Sequence, residues 1–189
     1  MSTPIDPEKI ESNWNTFESL CKRFNDRNID TMLETLGQRL AECPFAPRTE
    51  QPGCYTGGLI DMTLKVTASM RKLNENLDSK IPTPSVLKVG LFHDLGKIGD
   101  LEQAHFLEQD SDWHREKLGQ LYKYNESMPK MGYAHRGLWL LQHFGIALSR
   151  DEWEAIYLSG GLHLEENRFY AGSKSSLTKI LSAARTLVL

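Results

Sequence analysis

The chain has 189 residues, of which 40% are hydrophobic and 25% charged, and a formal net charge of −3. That is enough for one domain with a core of its own, and too near neutrality for a binder that holds nucleic acid through overall basic charge. The three cysteines have no Cys-x-x-Cys spacing, which excludes a disulfide framework, and no apolar run is long enough to cross a bilayer or to read as a secretory signal, so a cytoplasmic protein that does not engage membranes is expected.

Asp6-Pro7 reads as a carboxylate cap followed by proline at the first helical position. Ile10, Trp14, Phe17, Leu20, Cys21 and Phe24 then recur at three and four residues, giving one apolar stripe that ends at Asn25. Ile29, Met32, Leu33, Leu36 and Leu40 mark a second helix. Prolines and glycines punctuate 44–58, and the Gly57-Gly58 pair leads into a third helix from about Leu59 to Asn74. Thr83-Pro84 is read as a cap and first turn of a fourth helix, which carries Val86, Leu87, Val89, Gly90, Leu91 and Phe92 into His93-Asp94. It is apolar on most sides, which predicts the central helix of a bundle.

Beyond Gly99 no period is sustained until about Ala134, although aromatic and charged residues are frequent. A fifth helix is predicted over Ala134 to Phe144, stopped by Gly145. Ser149-Arg150-Asp151-Glu152 is a capping box that opens a sixth helix to about Leu158, ended by Gly160-Gly161. Residues 162–173 read as a polar loop, and Leu177, Ile180, Leu181, Ala184, Leu187 and Val188 define the last helix. No strand pattern is visible, so the fold class expected is all-α, with 1–45 as a helical extension packed on a domain formed by 46–189.

The chemistry concentrates at His93 and Asp94. An ionisable pair at the end of a buried helix is costly unless bonded, and neutral imidazole with carboxylate is an ordinary donor pair for a divalent metal; hydrogen bonds to backbone would also satisfy it. Lys97 is placed to neutralise a phosphate, or to serve as a favourable charge at a helix C-terminus. Trp113, His114, Arg115, Lys117 and Lys123 form the best phosphate-binding cluster, with Trp113 or Tyr122 available to stack on a base; the other reading is a solvated charged loop. His163, between Leu162 and Leu164, is a further candidate binding residue.

With these residues laid out, the chain resembles the HD-domain metal-dependent phosphohydrolases, in particular small phage and bacterial members. Gly57-Gly58-Leu59-Ile60 resembles the turn opening the family's first core helix, and Phe92-His93-Asp94-Leu95-Gly96-Lys97 matches the motif that names the family. Trp113 to Gly119, with Tyr122 and Asn125, resembles an insertion of the small members, and Arg136-Gly137-Leu138 through Ile156 their next helix pair. The resemblance implies an HD-like helical bundle with His93 and Asp94 as metal ligands. It implies a divalent ion (Mn, Co, Ni, Mg or Zn) that activates water against a nucleotide or nucleic-acid phosphoester.

Lys97, His114 and Arg115 would then be catalytic, and Trp113, Lys117, Lys123 and His163 would bind substrate. Two family ligands are replaced. The first-helix histidine falls near Met62, and the late aspartate near Ala184 or Arg185, where a fixed cation opposes a metal. A further His-Asp pair of some relatives falls at Ser159-Gly160. Asp61, Asp110, Asp112, His114, His163, Glu165 and Glu166 are the candidates to restore a third ligand. The alternative reading is a non-catalytic HD-like module that binds a nucleotide, another phosphorylated small molecule or a protein partner.

Overall fold

The computed structural model describes residues 7–161, 163–170 and 172–189, so the cap expected of Asp6, and Leu162 beside His163, lie outside the described residues. Helix follows helix as the apolar periods require: α1 (Pro7–Lys22), α2 (Arg27–Glu42), α3 (Gly58–Glu75) and α4 (Thr83–Phe92). Asn25 ends the first stripe with φ 49°, a conformation its short polar side chain tolerates, and Asp26 caps α2 by accepting from Asn28 N–H at 2.9 Å. Gly57 occupies the residue before α3 with φ 84°, so the Gly pair is used as the sequence predicts.

Thr83 does not cap α4. It is the first helical residue, and the preceding Pro82 offers no side-chain cap. A 3-10 turn over Leu95–Ile98 follows α4 directly.

The stretch without a period departs most from the expected secondary structure. A short antiparallel pair, β1 (Phe106–Glu108) with β2 (Tyr122–Tyr124), brackets α5 (Asp112–Leu118). Three residues on each side are too few for alternation to show in a sequence, although Phe106, Tyr122 and Tyr124 are strand formers. The remainder is helical: α6 (Tyr133–His143), α7 (Arg150–Tyr157), 3-10 turns at Leu158–Gly160 and Glu165–Tyr170, and α8 (Ser176–Val188). No described helix is long and apolar enough to cross a membrane.

One continuous core runs through the molecule. Phe17, Ile29, Met32 and Leu36 of α1 and α2 share it with Val66, Met70, Phe92, Leu140, Ile156 and Leu181. Each such side chain contributes about 1.5–3 kcal/mol by leaving water. The two N-terminal helices therefore extend the same core rather than rest on a finished one. α4 lies among α1, α3, α7 and α8, so its C-terminus ends inside the bundle.

The capping box forms as expected: Ser149 Oγ accepts from Glu152 N–H at 3.2 Å, and Glu152 Oε2 accepts from Ser149 N–H at 2.8 Å. Ser149→Ala should cost about 1 kcal/mol, seen as a melting point lower by roughly 2–4 °C in calorimetry, with ligand binding unchanged.

Candidate functional site

His93 and Asp94 lie where the apolar helix delivers them, 1% and 3% exposed. His93 Nδ1 is 2.9 Å from Gly90 O, and a carbonyl only accepts, so Nδ1 carries the proton. That leaves Nε2 facing Asp94 Oδ2 at 3.2 Å, buried and without an aligned hydrogen bond. Ser159 Oγ donates to His93 O at 3.0 Å and ties this corner to the turn after α7.

The same carboxylate oxygen is taken by α8: Arg185 Nη1 donates to Asp94 Oδ2 at 2.6 Å. Burial alone would raise the Asp94 pKa. Lys97, His93 and Arg185 overcome it and hold the carboxyl well below the usual range, so Asp94 is an anion throughout the neutral range.

His93 Nε2 and Asp94 Oδ2, buried 3.2 Å apart, would serve as two donors to a divalent ion once Nε2 gives up its proton, with Nδ1–H held by Gly90 O as in a ligated imidazole. The third position does not fit. An ion about 2.1 Å from both atoms would lie within a few ångströms of a guanidinium that is already on Oδ2, and a catalytic site ordinarily has three protein ligands.

Among the described residues no third His, Cys, Asp or Glu donor joins the pair. Asp61 accepts from Tyr55 Oη at 2.6 Å and from Lys65 Nζ at 2.8 Å, and it draws in Lys9 of α1 at 3.8 Å; it is spent on holding α1 to α3. Met62 is buried in the core. No group of three or more His, Cys, Asp or Glu donors occurs among the described residues.

Lys97, Arg115 and His114, the residues expected to be catalytic, each have partners within the chain. Lys97 is 8% exposed and turns inward, donating to Phe45 O at 3.1 Å with its ammonium 3.1 Å from the Phe45 ring centroid. It acts on Asp94 as a buried charge and does not reach outward. Arg115 donates to Gln109 O and to Asp112 Oδ1, so two of its five donors are held within its own segment. His114 Nδ1 is bonded to Ser111 Oγ at 2.8 Å, in the cap of α5.

Trp113 is 58% exposed, Lys117 is exposed, and Lys123 pairs with Asp110 at 2.7 Å. This cluster docks on the earlier loop through Thr49 N–H to Gly119 O (2.8 Å) and Leu121 N–H to Pro47 O (2.9 Å). It is not part of the group of charges that sets Asp94.

Beside Arg185 the bundle is open. A cavity of about 250 Å³ is lined by Ser159, Gly161, Lys174, Ser182, Arg185 and Thr186. His163 is exposed and lies against its edge: a Cβ built on Gly161 would meet His163 Nδ1 at 2.6 Å. Lys174 is the residue that reading the sequence missed. The retrievable signal was the spacing of Ser182, Arg185 and Thr186, which puts all three on one face of α8.

The chain matches no protein-family model, no curated protein and no solved structure.

Proposed function

We propose that this chain is an HD-like module in which the Arg185 guanidinium takes the seat of the metal, and that it binds the phosphate of a nucleotide or other phosphorylated small molecule without hydrolysing it. The observation that carries this reading is the 2.6 Å ion pair between Arg185 and Asp94 on the wall of an open cavity. A guanidinium has five donors, and this pair uses one of them, on Nη1. Lys174 adds a second cation and Ser182 a hydroxyl. The cavity is smaller than the roughly 300–1,000 Å³ of whole ligand sites, which suits a head group whose remainder lies outside.

Metal-dependent phosphoester hydrolysis is the second reading, and one observation favours it: His93 Nε2 and Asp94 Oδ2 are buried 3.2 Å apart without an aligned hydrogen bond between them, two donor atoms side by side. Metal content, thermal shift and turnover separate the two. Under the first reading the purified protein carries no stoichiometric metal, and ADP or pyrophosphate raises its melting temperature. Lys174→Ala weakens that binding by about tenfold, the worth of one charge-assisted contact. Phosphate release in Mn²⁺ or Co²⁺ that disappears in both His93→Ala and Asp94→Ala would replace the first reading with the second.

A further inference from the structure

Away from Asp94, on the outer side of the 3-10 turn, α6 carries a second buried cation. Arg136 is 3% exposed and donates to Gly96 O and Met131 O, each at 3.1 Å, and to His105 Nδ1 at 3.2 Å. All three acceptors are neutral. No carboxylate lies within ion-pairing distance of Arg136 among the described residues, although Asp100 acts on it from farther away. A buried charge without a counterion is costly, and carbonyl dipoles offset only part of that cost.

His105 supplies no compensation. Its Nδ1 accepts from Arg136, so Nε2 carries the proton toward Tyr133 Oη at 3.2 Å, and burial pushes its pKa down to about 4. The imidazole is neutral at physiological pH. Arg136 and His105 line a cavity of about 890 Å³, inside the range of small-molecule sites.

The rest of the wall fixes the chemistry of a ligand. Tyr124, 48% exposed, stands beside His105 (ring centroids 5.2 Å apart) and Phe106 (5.6 Å), and Met128 and Met131 add apolar surface. Lys130 and Glu126 stand on the same wall, so two cations face one carboxylate and the lining is net +1. We propose that this cavity is a second ligand site, independent of Arg185, which takes a small aromatic monocarboxylate. The carboxylate answers Arg136 and the ring packs on Tyr124 and Met131. A charge-assisted pair to the buried Arg136 guanidinium is stronger than its fully exposed equivalent.

Benzoate is the probe, titrated into the ¹⁵N-labelled full chain with benzyl alcohol as its neutral counterpart. Saturable shifts are expected at the amides of 124–136 and at the Arg136 Nε–H, with benzyl alcohol weaker by about tenfold or more. Lys130→Glu, at an exposed position, inverts the lining to net −1 and should weaken benzoate by a similar factor with the spectrum otherwise intact. Saturating pyrophosphate should leave benzoate affinity of the unmodified chain unchanged, which separates this site from the phosphate site. Non-saturating shifts, equal affinity for the alcohol, or indifference to Lys130→Glu would each overturn the proposal.

Discussion

Arg185→Asp should turn a position that repels a divalent ion into one that helps hold it. In the parent the guanidinium sits 2.6 Å from Asp94 Oδ2, and His93 Nε2 lies 3.2 Å from the same atom with no aligned partner. Replacing the cation with a carboxylate completes three protein donors, the usual number for a catalytic metal.

Without metal the variant sets two carboxylates together in a buried place and removes one partner of a buried ion pair. About 3–5 kcal/mol of stability should be lost, a melting point lower by roughly 6–20 °C at 2–4 °C per kcal/mol. Mn²⁺ or Zn²⁺ at a hundredfold excess over its dissociation constant should return about 2.7 kcal/mol. Arg185→Ala is the control. It loses stability in the same way, but with two donors it gains little from metal. Calorimetry with and without Mn²⁺ reads all three proteins. A parent whose melting point rises with Mn²⁺ as much as the Arg185→Asp variant would show that the guanidinium does not exclude the ion, and the phosphate-binding reading would fall.

What could be read from the sequence was what has a period or a cap. The stripes of α1 to α4, the Ser149–Glu152 box and the arrival of His93-Asp94 at the end of a buried helix all follow from spacing. The fixed positive charge of Arg185 was also legible, because it is there whatever the fold. Side-chain direction was not. Lys97 follows Asp94 by three residues, yet the 3-10 turn over Leu95–Ile98 swings it toward Phe45 rather than outward.

Arg115 and Lys123 looked free because their partners, Gln109, Asp112 and Asp110, are brought to them by a short excursion whose strands are three residues long. The cavity beside Arg185 joins the turn after α7 to one face of α8, and the Arg136 cavity joins α6 to the strand pair. Both depend on how elements meet, which neither composition nor periodicity encodes.

Gly96→Ala should be the most damaging single methyl that can be added to the motif. Gly96 lies in the 3-10 turn that carries Asp94 and Lys97 into place, and this turn is packed directly on the start of α6. A Cβ there would meet Tyr133 O at 2.0 Å, Gly137 N at 2.7 Å and Arg136 Cβ at 3.0 Å. Two of these are backbone atoms, which cannot rotate away, so the turn and the helix must separate. Overpacking usually costs 1–3 kcal/mol, and a contact with fixed backbone belongs at the upper end, about 3 kcal/mol, or 6–12 °C in melting temperature.

Separation would also break the bond from Arg136 to Gly96 O and shift Asp94 away from Arg185, so ligand stabilisation at both cavities should weaken together. Gly137→Ala, on the facing side of the same contact, is the comparison. Its nearest neighbour would be the backbone Gly96 N at 3.2 Å, a tight contact that asks for far less movement than the 2.0 Å approach at Gly96, with Leu95 Cβ at an ordinary 3.8 Å, and alanine is the better helix former. The two variants differ by position alone, so unfolding curves should place Gly96→Ala well below the parent and Gly137→Ala close to it. Equal stability of the pair would mean that the turn does not lie against α6, and the seating of Asp94 would need another cause.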